Sequence, residues 1–346
     1  MTSSFPRPAS FYHGLPKVDL HRHLEGSLRL RTMVEIGHSY GLDLPGAGEL
    51  RQLVQVGENE PFTFINFLSK FQTLRRFFRS PEIIQRITYE AIADAAADNV
   101  RYLELRFTPF ALARAENYPL GEVIDWVIQA ASTASAELGI KTRLIVSVNR
   151  HESTDLAAEV VRLACERIAG GIVGLDLAGN EADFSALLFA GVVQEAQHAG
   201  LNLTLHAGEW GPASNVSEAI CQLGAQRIGH GVRVLEDPRV TALALERQVP
   251  FEVCITSNYQ SGVIPTAQAH PLARMHSLGL NVTLNTDDPS ISQITLSNEY
   301  FRAVEELGLS LGQLKDCVLA AAQAAFLPED EKTILVEELQ AAFPEK

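Results

Sequence analysis

Apolar and polar residues follow two rhythms along this chain, and the rhythms take turns. Short apolar stretches with the two-residue side-chain period of a strand fall at 18–23, 100–106, 144–148, 172–177, 201–206, 227–230, 250–254 and 280–285. Between them, apolar residues recur at i, i+3, i+4 and i+7, the period of an amphipathic helix. Such helices are predicted at 26–40, ended by Gly41, and from Pro61 onward, where Phe64, Phe67, Leu68, Phe71 and Leu74 form one stripe. Further ones are predicted at 81–99, 120–138, 156–168, 186–198, 216–223, 238–246 and 271–278. Pro45, Gly46 and Gly48 interrupt the pattern and predict a loop.

Strand followed by helix, eight times over with no long linker, is the pattern of parallel βαβ units. It predicts an α/β chain forming a (β/α)8 TIM barrel in a single domain over residues 1–346, with a helical insertion after the first strand and C-terminal helices. A doubly wound open sheet uses the same alternation. It is disfavoured because no glycine-rich loop of the GxGxxG or GxxxxGK[ST] kind follows any strand.

Composition narrows the partners. A chain that is 46% hydrophobic and 20% charged can bury a large core. With 28 Lys plus Arg against 42 Asp plus Glu, the formal charge is -14, which repels phosphate backbones and anionic membranes. Neither nucleic acid nor membrane is an expected partner. Cys165, Cys221, Cys254 and Cys317 form no CxxC pair and read as thiols in a reducing compartment. Residues 1–14 contain Pro6 and Pro8 but no apolar run suited to a secretory signal, and no later stretch is long and apolar enough to span a bilayer. A cytoplasmic location is expected.

In a βα barrel, chemistry gathers at the C-terminal ends of the strands. His21 and His23 are two apart on the first strand and share a face. The fifth strand ends in His206, the sixth in His230, and the eighth runs into Asp287-Asp288-Pro289. Alone, each reads as a solvated loop group, and the aspartates as a helix N-cap cluster; together they point to one site. His21, His23, His206 and Asp287 make a nitrogen-rich donor set suited to zinc, with a place left for a water whose pKa the ion lowers to about 7. After His206, the small residues Ala207 and Gly208 leave Glu209 aimed into the mouth as a proton donor or acceptor. His230, between Gly229 and Gly231, would orient or deprotonate the water, its plainer role being a hydrogen bond to a loop carbonyl. Phe64, Phe67 and Leu68 fit a lid over a pocket as well as a core stripe. His151, at the end of the third strand, faces the mouth with no role beyond a loop hydrogen bond.

The motifs extend nearly end to end: His21-Arg22-His23-Leu24-Glu25-Gly26, Asp176-Leu177-Ala178-Gly179-Asn180-Glu181, His206-Ala207-Gly208-Glu209, Arg227-Ile228-Gly229-His230-Gly231, Thr256-Ser257-Asn258 and Asn285-Thr286-Asp287-Asp288-Pro289. With these the chain resembles the adenosine deaminases and their adenine-acting relatives among the metal-dependent amidohydrolase barrels. The resemblance implies one zinc ion per chain held by His21, His23, His206 and Asp287, with Glu209 and His230 catalytic. Hydroxide would attack carbon 6 of the purine while Glu209 protonates ring nitrogen 1 and His230 manages the water proton. Asp288 would bond ring nitrogen 7, the Gly179 backbone ring nitrogen 3, and Glu25 would stand near the sugar hydroxyl. The implied activity is hydrolytic deamination of adenosine and 2′-deoxyadenosine to the inosine product and ammonia, in purine metabolism.

Some positions depart from that pattern. Glu25 stands where adenosine deaminases often carry Asp, and a longer side chain there also occurs in relatives acting on free adenine or modified nucleosides. Gly229 leans back toward the nucleoside enzymes, since adenine-specific relatives tend to carry Asp there. Ile255 replaces a Pro common after the cysteine of the seventh strand. Adenine deaminase and a deaminase of a larger adenine nucleoside of the aminodeoxyfutalosine type are therefore the alternatives. A catalytically silent purine-binding barrel would require a broken ligand set or a missing proton donor, and every one of those residues is present. The zinc deaminases of flipped bases carry H-x-E with P-C-x-x-C, which is absent here.

Overall fold

Eight strands assemble in the order in which they occur along the chain: β1 (Lys17–His23), β2 (Val100–Phe107), β3 (Lys141–Asn149), β4 (Ile172–Ala178), β5 (Asn202–Ala207), β6 (Arg227–His230), β7 (Phe251–Val253) and β8 (Val282–Leu284). Each is parallel to the next. They come from a computed structural model that describes residues 7–344; Met1 to Pro6, part of the segment read for a secretory signal, lie outside the described residues.

The seam between the last and first strands closes just beyond β8. The Asp287 N–H donates to the His21 carbonyl at 2.7 Å, and the His23 N–H donates to the Asp287 carbonyl at 2.8 Å. Below them the Leu20 N–H donates to the Asn285 side-chain oxygen at 2.8 Å. The expected (β/α)8 barrel is thus joined through the backbone of three candidate site residues.

Helices cover the outside for the reasons their patterns predict. Leu120–Leu138 buries Val123, Ile124, Val127, Ala131 and Ala134 and stops at Gly139, whose φ of 67° is the left-handed turn glycine tolerates best. Pro81–Ala97 begins where the Ser80 hydroxyl accepts from the Ile83 N–H, and its alanines let it pack closely on Leu120–Leu138. At the C-terminal end, Leu311–Ala324 lies against β8 and β1 and carries Glu329–Ala342 on its other side. Among the described residues no helix is long and apolar enough to cross a membrane.

The insertion between β1 and β2 differs in detail from its expected form. The first helix runs over Leu30–Ser39, not from residue 26, because residues 24–29 fold back onto the barrel. The Gly26 carbonyl accepts from the Ser290 N–H at 2.8 Å, and a Cβ on Gly26 would lie 1.7 Å from an Asp288 oxygen. The loop expected through Pro45, Gly46 and Gly48 ends at Gly46: Gly48 already lies inside a helix, Ala47–Val54, held by buried Leu50 and Val54. Phe64–Leu74 is the aromatic helix, capped by the Thr63 hydroxyl, and it passes directly into a short turn of 3-10 helix at Arg75–Phe77.

The barrel interior is charged. Arg106 donates to Glu252 at 2.8 Å and to the Leu20 carbonyl, while Arg227 donates to Glu252 at 2.7 Å and contacts Glu104. All four side chains are buried. Charges in such a place persist only when paired and hydrogen-bonded, so this network locks the rotation of β2, β6 and β7 relative to one another and supports the layer of imidazoles above it.

Candidate active site

The structure brings His21, His23, His206 and Asp287 together, each offering a ligand atom within 4.8 Å of the others. The Nε2 atoms of His21 and His23 lie 3.3 Å apart, and 3.3 and 3.4 Å from Asp287 Oδ1. A tetrahedron with metal–ligand bonds of roughly 2.0–2.1 Å has edges of about 3.3–3.4 Å. The protons also fit. His21 donates from Nδ1 to Glu252 Oε2 at 2.8 Å, and His206 from Nδ1 to Asp176 Oδ1 at 2.9 Å. Their Nε2 lone pairs then face the other ligands, an arrangement that a cation relieves and that orients metal-bound imidazoles generally.

Asp176, quoted in the sequence reading only as part of a motif and without a role, and Glu252, not noted there, are thus brought against the cluster. Burial alone would raise the pKa of both carboxyls. The Arg106, Arg227 and His21 groups hold Glu252 well below its usual range, and His206 and Arg106 do the same for Asp176. Each interrupts an otherwise apolar strand, in Gly174-Leu175-Asp176-Leu177 and Phe251-Glu252-Val253. A charge in the middle of a buried strand was the available signal.

Glu209 and His230 adjoin the cluster, with the His230 ring centroid 4.8 Å from that of His21 and 5.0 Å from that of His206. His230 Nε2 is 3.6 Å from Glu209 Oε2 and 4.0 Å from Asp287 Oδ2. Burial pushes the Glu209 carboxyl well above its ordinary pKa, and the negative charges of Asp287 and Glu181 push it further. His230 and Asp287 have φ of 59° and 62°, a left-handed conformation uncommon for side-chain-bearing residues and concentrated at functional sites. The loop bearing Glu209 is held from beneath by Glu181. Its Oε1 accepts from the Gly208 N–H at 2.6 Å and the Asn215 amide at 2.9 Å, and its Oε2 accepts from the N–H groups of Glu209 and Trp210, each at 2.9 Å.

A cavity of about 330 Å³ opens above the cluster, lined by His23, His206, Glu209, His230, Asp287 and Asp288, and also by Glu25, Gly179 and Asn180. Two carboxyl oxygens there are buried without a partner: Asp288 Oδ1, and Glu25 Oε2, whose sister atom accepts from the Thr108 N–H at 2.6 Å. Burial pushes Glu25 up to about 7, and burial with the neighbouring Asp287 and Glu25 charges pushes Asp288 well up. Gly179, at φ 88°, leaves its backbone open to the cavity, with His151 Nδ1 3.1 Å from where its Cβ would be. Phe67, Leu68 and Phe71 of the insertion form part of the wall, whereas Phe64 stands outside it against Trp210, with ring centroids 5.5 Å apart. His151 also lines the cavity. Trp210 and Arg75, which the pattern reading passed over, line it as well.

A family model described as adenosine deaminase matches residues 16–342. An adenosine deaminase of Aliivibrio fischeri is 35% identical over 332 residues, covering 93% of this chain and 97% of that protein. Among solved structures, an amidohydrolase from Burkholderia ambifaria with bound Zn superposes with a TM-score of 0.90 at 29% identity, covering 99% of this chain and 94% of the other. An adenine deaminase from Arthrobacter aurescens does so with 0.87 at 28% identity, covering 94% and 98%. A match over nearly the whole chain, to the family model and to relatives 35% identical, shows that the chain belongs to the adenosine deaminase family and is a hydrolytic deaminase.

Proposed function

We propose that the protein is a zinc-dependent deaminase that converts adenosine and 2′-deoxyadenosine to the inosine product and ammonia, one zinc ion being held by His21, His23, His206 and Asp287. The observation that carries this reading is the pair of buried, high-pKa carboxyls facing one cavity beside the His/Asp cluster. Ring nitrogens 1, 3 and 7 of adenine are all acceptors, so a site that binds them needs donors. A protonated Glu209, a protonated Asp288 and the Gly179 backbone supply three.

When bound, zinc supplies the Lewis acidity that ionises a water at neutral pH. Glu209, kept protonated by burial, gives its proton to ring nitrogen 1 and turns carbon 6 into an electrophile. Asp288 donates to ring nitrogen 7 and fixes the face that the base presents. His230 faces the same centre and orients the reacting oxygen. Glu25, with one oxygen free, takes a sugar hydroxyl. The attacking water supplies the two protons that balance the step: one restores Glu209, whose own proton stays on ring nitrogen 1 of the product, and the other joins the amino group as the carbon–nitrogen bond breaks, so that it leaves as ammonia. Phe67, Leu68 and Phe71 wall the cavity on the side of the insertion.

The test is turnover by the purified, zinc-loaded protein, followed by the fall in adenosine absorbance and by ammonia release, with free adenine in parallel. Turnover of adenosine supports the assignment. Rapid turnover of adenine with none of adenosine would replace it by the adenine deaminase reading.

A further inference from the structure

The three arginines at the end of the aromatic helix have different fates. Arg76 donates to the Asp43 carbonyl at 3.1 Å, and Arg79 pairs with Glu116 at 2.6 Å. Arg75 turns into the cavity. Among the described residues it has no hydrogen-bond or ion-pair partner, and its Nε is buried with no acceptor. The carboxyl of Glu25 lines the same cavity but makes no pair with it, being engaged by the Thr108 N–H. His151, on the same wall, is kept neutral by burial and by the Arg75 charge. The Nε of Arg75 is thus desolvated with no hydrogen bond in return, while the half-buried guanidinium, near enough to Glu25 to lower that carboxyl's pKa, shares the cavity wall with Phe67, Phe71 and Phe184; its planar fork fits a carboxylate or phosphate.

We infer that the preferred substrate is an adenine nucleoside whose 5′ position carries an anionic group, carboxylate or phosphate, which Arg75 pairs. This rests on the adenine reading above. The division of labour has a topological basis: the base is gripped by strand ends of the barrel, at 206–209 and 287–288, and the anion by the insertion after β1.

The experiment compares kcat/KM of the zinc-loaded protein on adenosine, AMP and 5′-carboxymethylthio-5′-deoxyadenosine, for wild type, Arg75→Gln and Arg75→Lys. One charge-assisted pair corresponds to a preference of about 30-fold for an anionic substrate. Arg75→Gln is expected to abolish that preference, mainly through KM, while leaving adenosine within about 3-fold, and Arg75→Lys to restore part of it. Preference for the thioacetate identifies a carboxylate substrate, and preference for AMP a phosphate. Equal kcat/KM on all three, or a loss in Arg75→Gln that is as large for adenosine, overturns the inference. Absence of turnover on every adenine nucleoside overturns the underlying functional reading instead.

Independently, a chain of hydrogen bonds runs from the β7–β8 connection, just ahead of the helix Leu272–Ser277, to His230. His270 Nδ1 accepts from the Leu272 N–H at 3.1 Å. Burial lowers the pKa of His270 to about 3, so the neutral ring carries its hydrogen on Nε2. That atom lies 3.3 Å from Asn258 Oδ1, which decides the orientation of the amide. Asn258 Nδ2 then faces His230 Nδ1 at 3.1 Å and Glu209 Oε1 at 3.4 Å. With Nδ1 accepting, His230 keeps its hydrogen on Nε2, toward Glu209.

The geometry points to His270 and Asn258 as positioning residues that hold His230 as a hydrogen-bond donor, not as the base that removes a proton from water. NMR of zinc-loaded, 15N-histidine-labelled protein is expected to show the Nε2–H tautomer of His230. His270→Phe should mix the tautomers and lower kcat about tenfold with KM unchanged, and His270→Gln, which keeps a donor, should rescue both readouts. An Nδ1–H tautomer in wild type, or equal losses in the two variants, overturns the assignment.

Discussion

Replacing Glu181 by alanine should disable the enzyme without touching any atom that meets the substrate. Glu181 is 4% exposed and its two oxygens accept four hydrogen bonds. Three come from consecutive backbone N–H groups, which have no other acceptor within the 208–210 loop. A hydrogen bond to a buried carboxylate contributes about 1.5–3 kcal/mol, and these four share one acceptor group and are not additive. A stability loss of about 3–5 kcal/mol follows for Glu181→Ala, even with water refilling part of the space. The larger effect is on rate: freed from this anchor, the loop lets Glu209 drift, and a displacement near 1 Å costs about 100-fold.

Glu181→Gln is no milder. Each oxygen of Glu181 meets two donors, so an amide nitrogen placed on either side faces N–H groups. The assay is kcat for adenosine at saturating substrate, with urea unfolding and zinc content measured on the same samples. The reasoning predicts a fall in kcat of at least about 100-fold in both variants, with zinc retained. If Glu181→Ala folds, keeps its metal and keeps kcat within about 3-fold, the clamp does not position Glu209.

Three further outcomes follow from the same geometry. Asp176→Asn should weaken metal affinity by about 10–100-fold, read by chelator competition, because it exchanges the acceptor that orients His206 for a weaker one. Gly26→Ala should lower kcat/KM by at least about 10–100-fold, since the added methyl would sit 1.7 Å from Asp288 Oδ1 and 2.5 Å from its Cβ and so displace the 287–288 segment as well as the carboxyl. Glu299, buried against Thr256, has its pKa pushed by burial from 4.5 to about 7. The folded state therefore binds the proton more tightly than the unfolded chain, and this contribution is complete below pH 4.5 and lost as pH rises through 7. The loss is on the order of 3 kcal/mol, and the difference in urea stability between wild type and Glu299→Gln should trace it across that window.

The barrel is legible in the sequence because strands and helices here obey separate periods, and the bounds of β6 and of Leu120–Leu138 follow from them directly. Less visible is what depends on residues distant in sequence. Residues 26–29 fall within the helical period read over 26–40, but the close approach of Asp288 to Gly26 decides their path. The helix at Ala47–Val54 hides behind two glycines. In the site, the histidines and Asp287 are readable from their positions at strand ends. The left-handed backbone at His230 and Asp287 is not, because neither residue type announces it. Glu181, Asp176 and Glu252 act through hydrogen bonds that span dozens of residues; for Asp176 and Glu252 the local trace is a carboxylate where the strand pattern calls for an apolar side chain, and Glu181, in the turn after β4, leaves no such trace. Phe64 belongs to the aromatic stripe but lies outside the cavity, one helical turn from Phe67 and Leu68, which line it.

The central claim is that a single metal ion held by His21, His23, His206 and Asp287 is what makes this barrel a deaminase. Adding Zn²⁺ stepwise to metal-stripped protein while recording ammonia release from adenosine tests it most directly. The rate should start near zero, rise linearly, and level off at about one equivalent per chain. Full activity in the stripped protein, or a rate indifferent to added zinc, would contradict it.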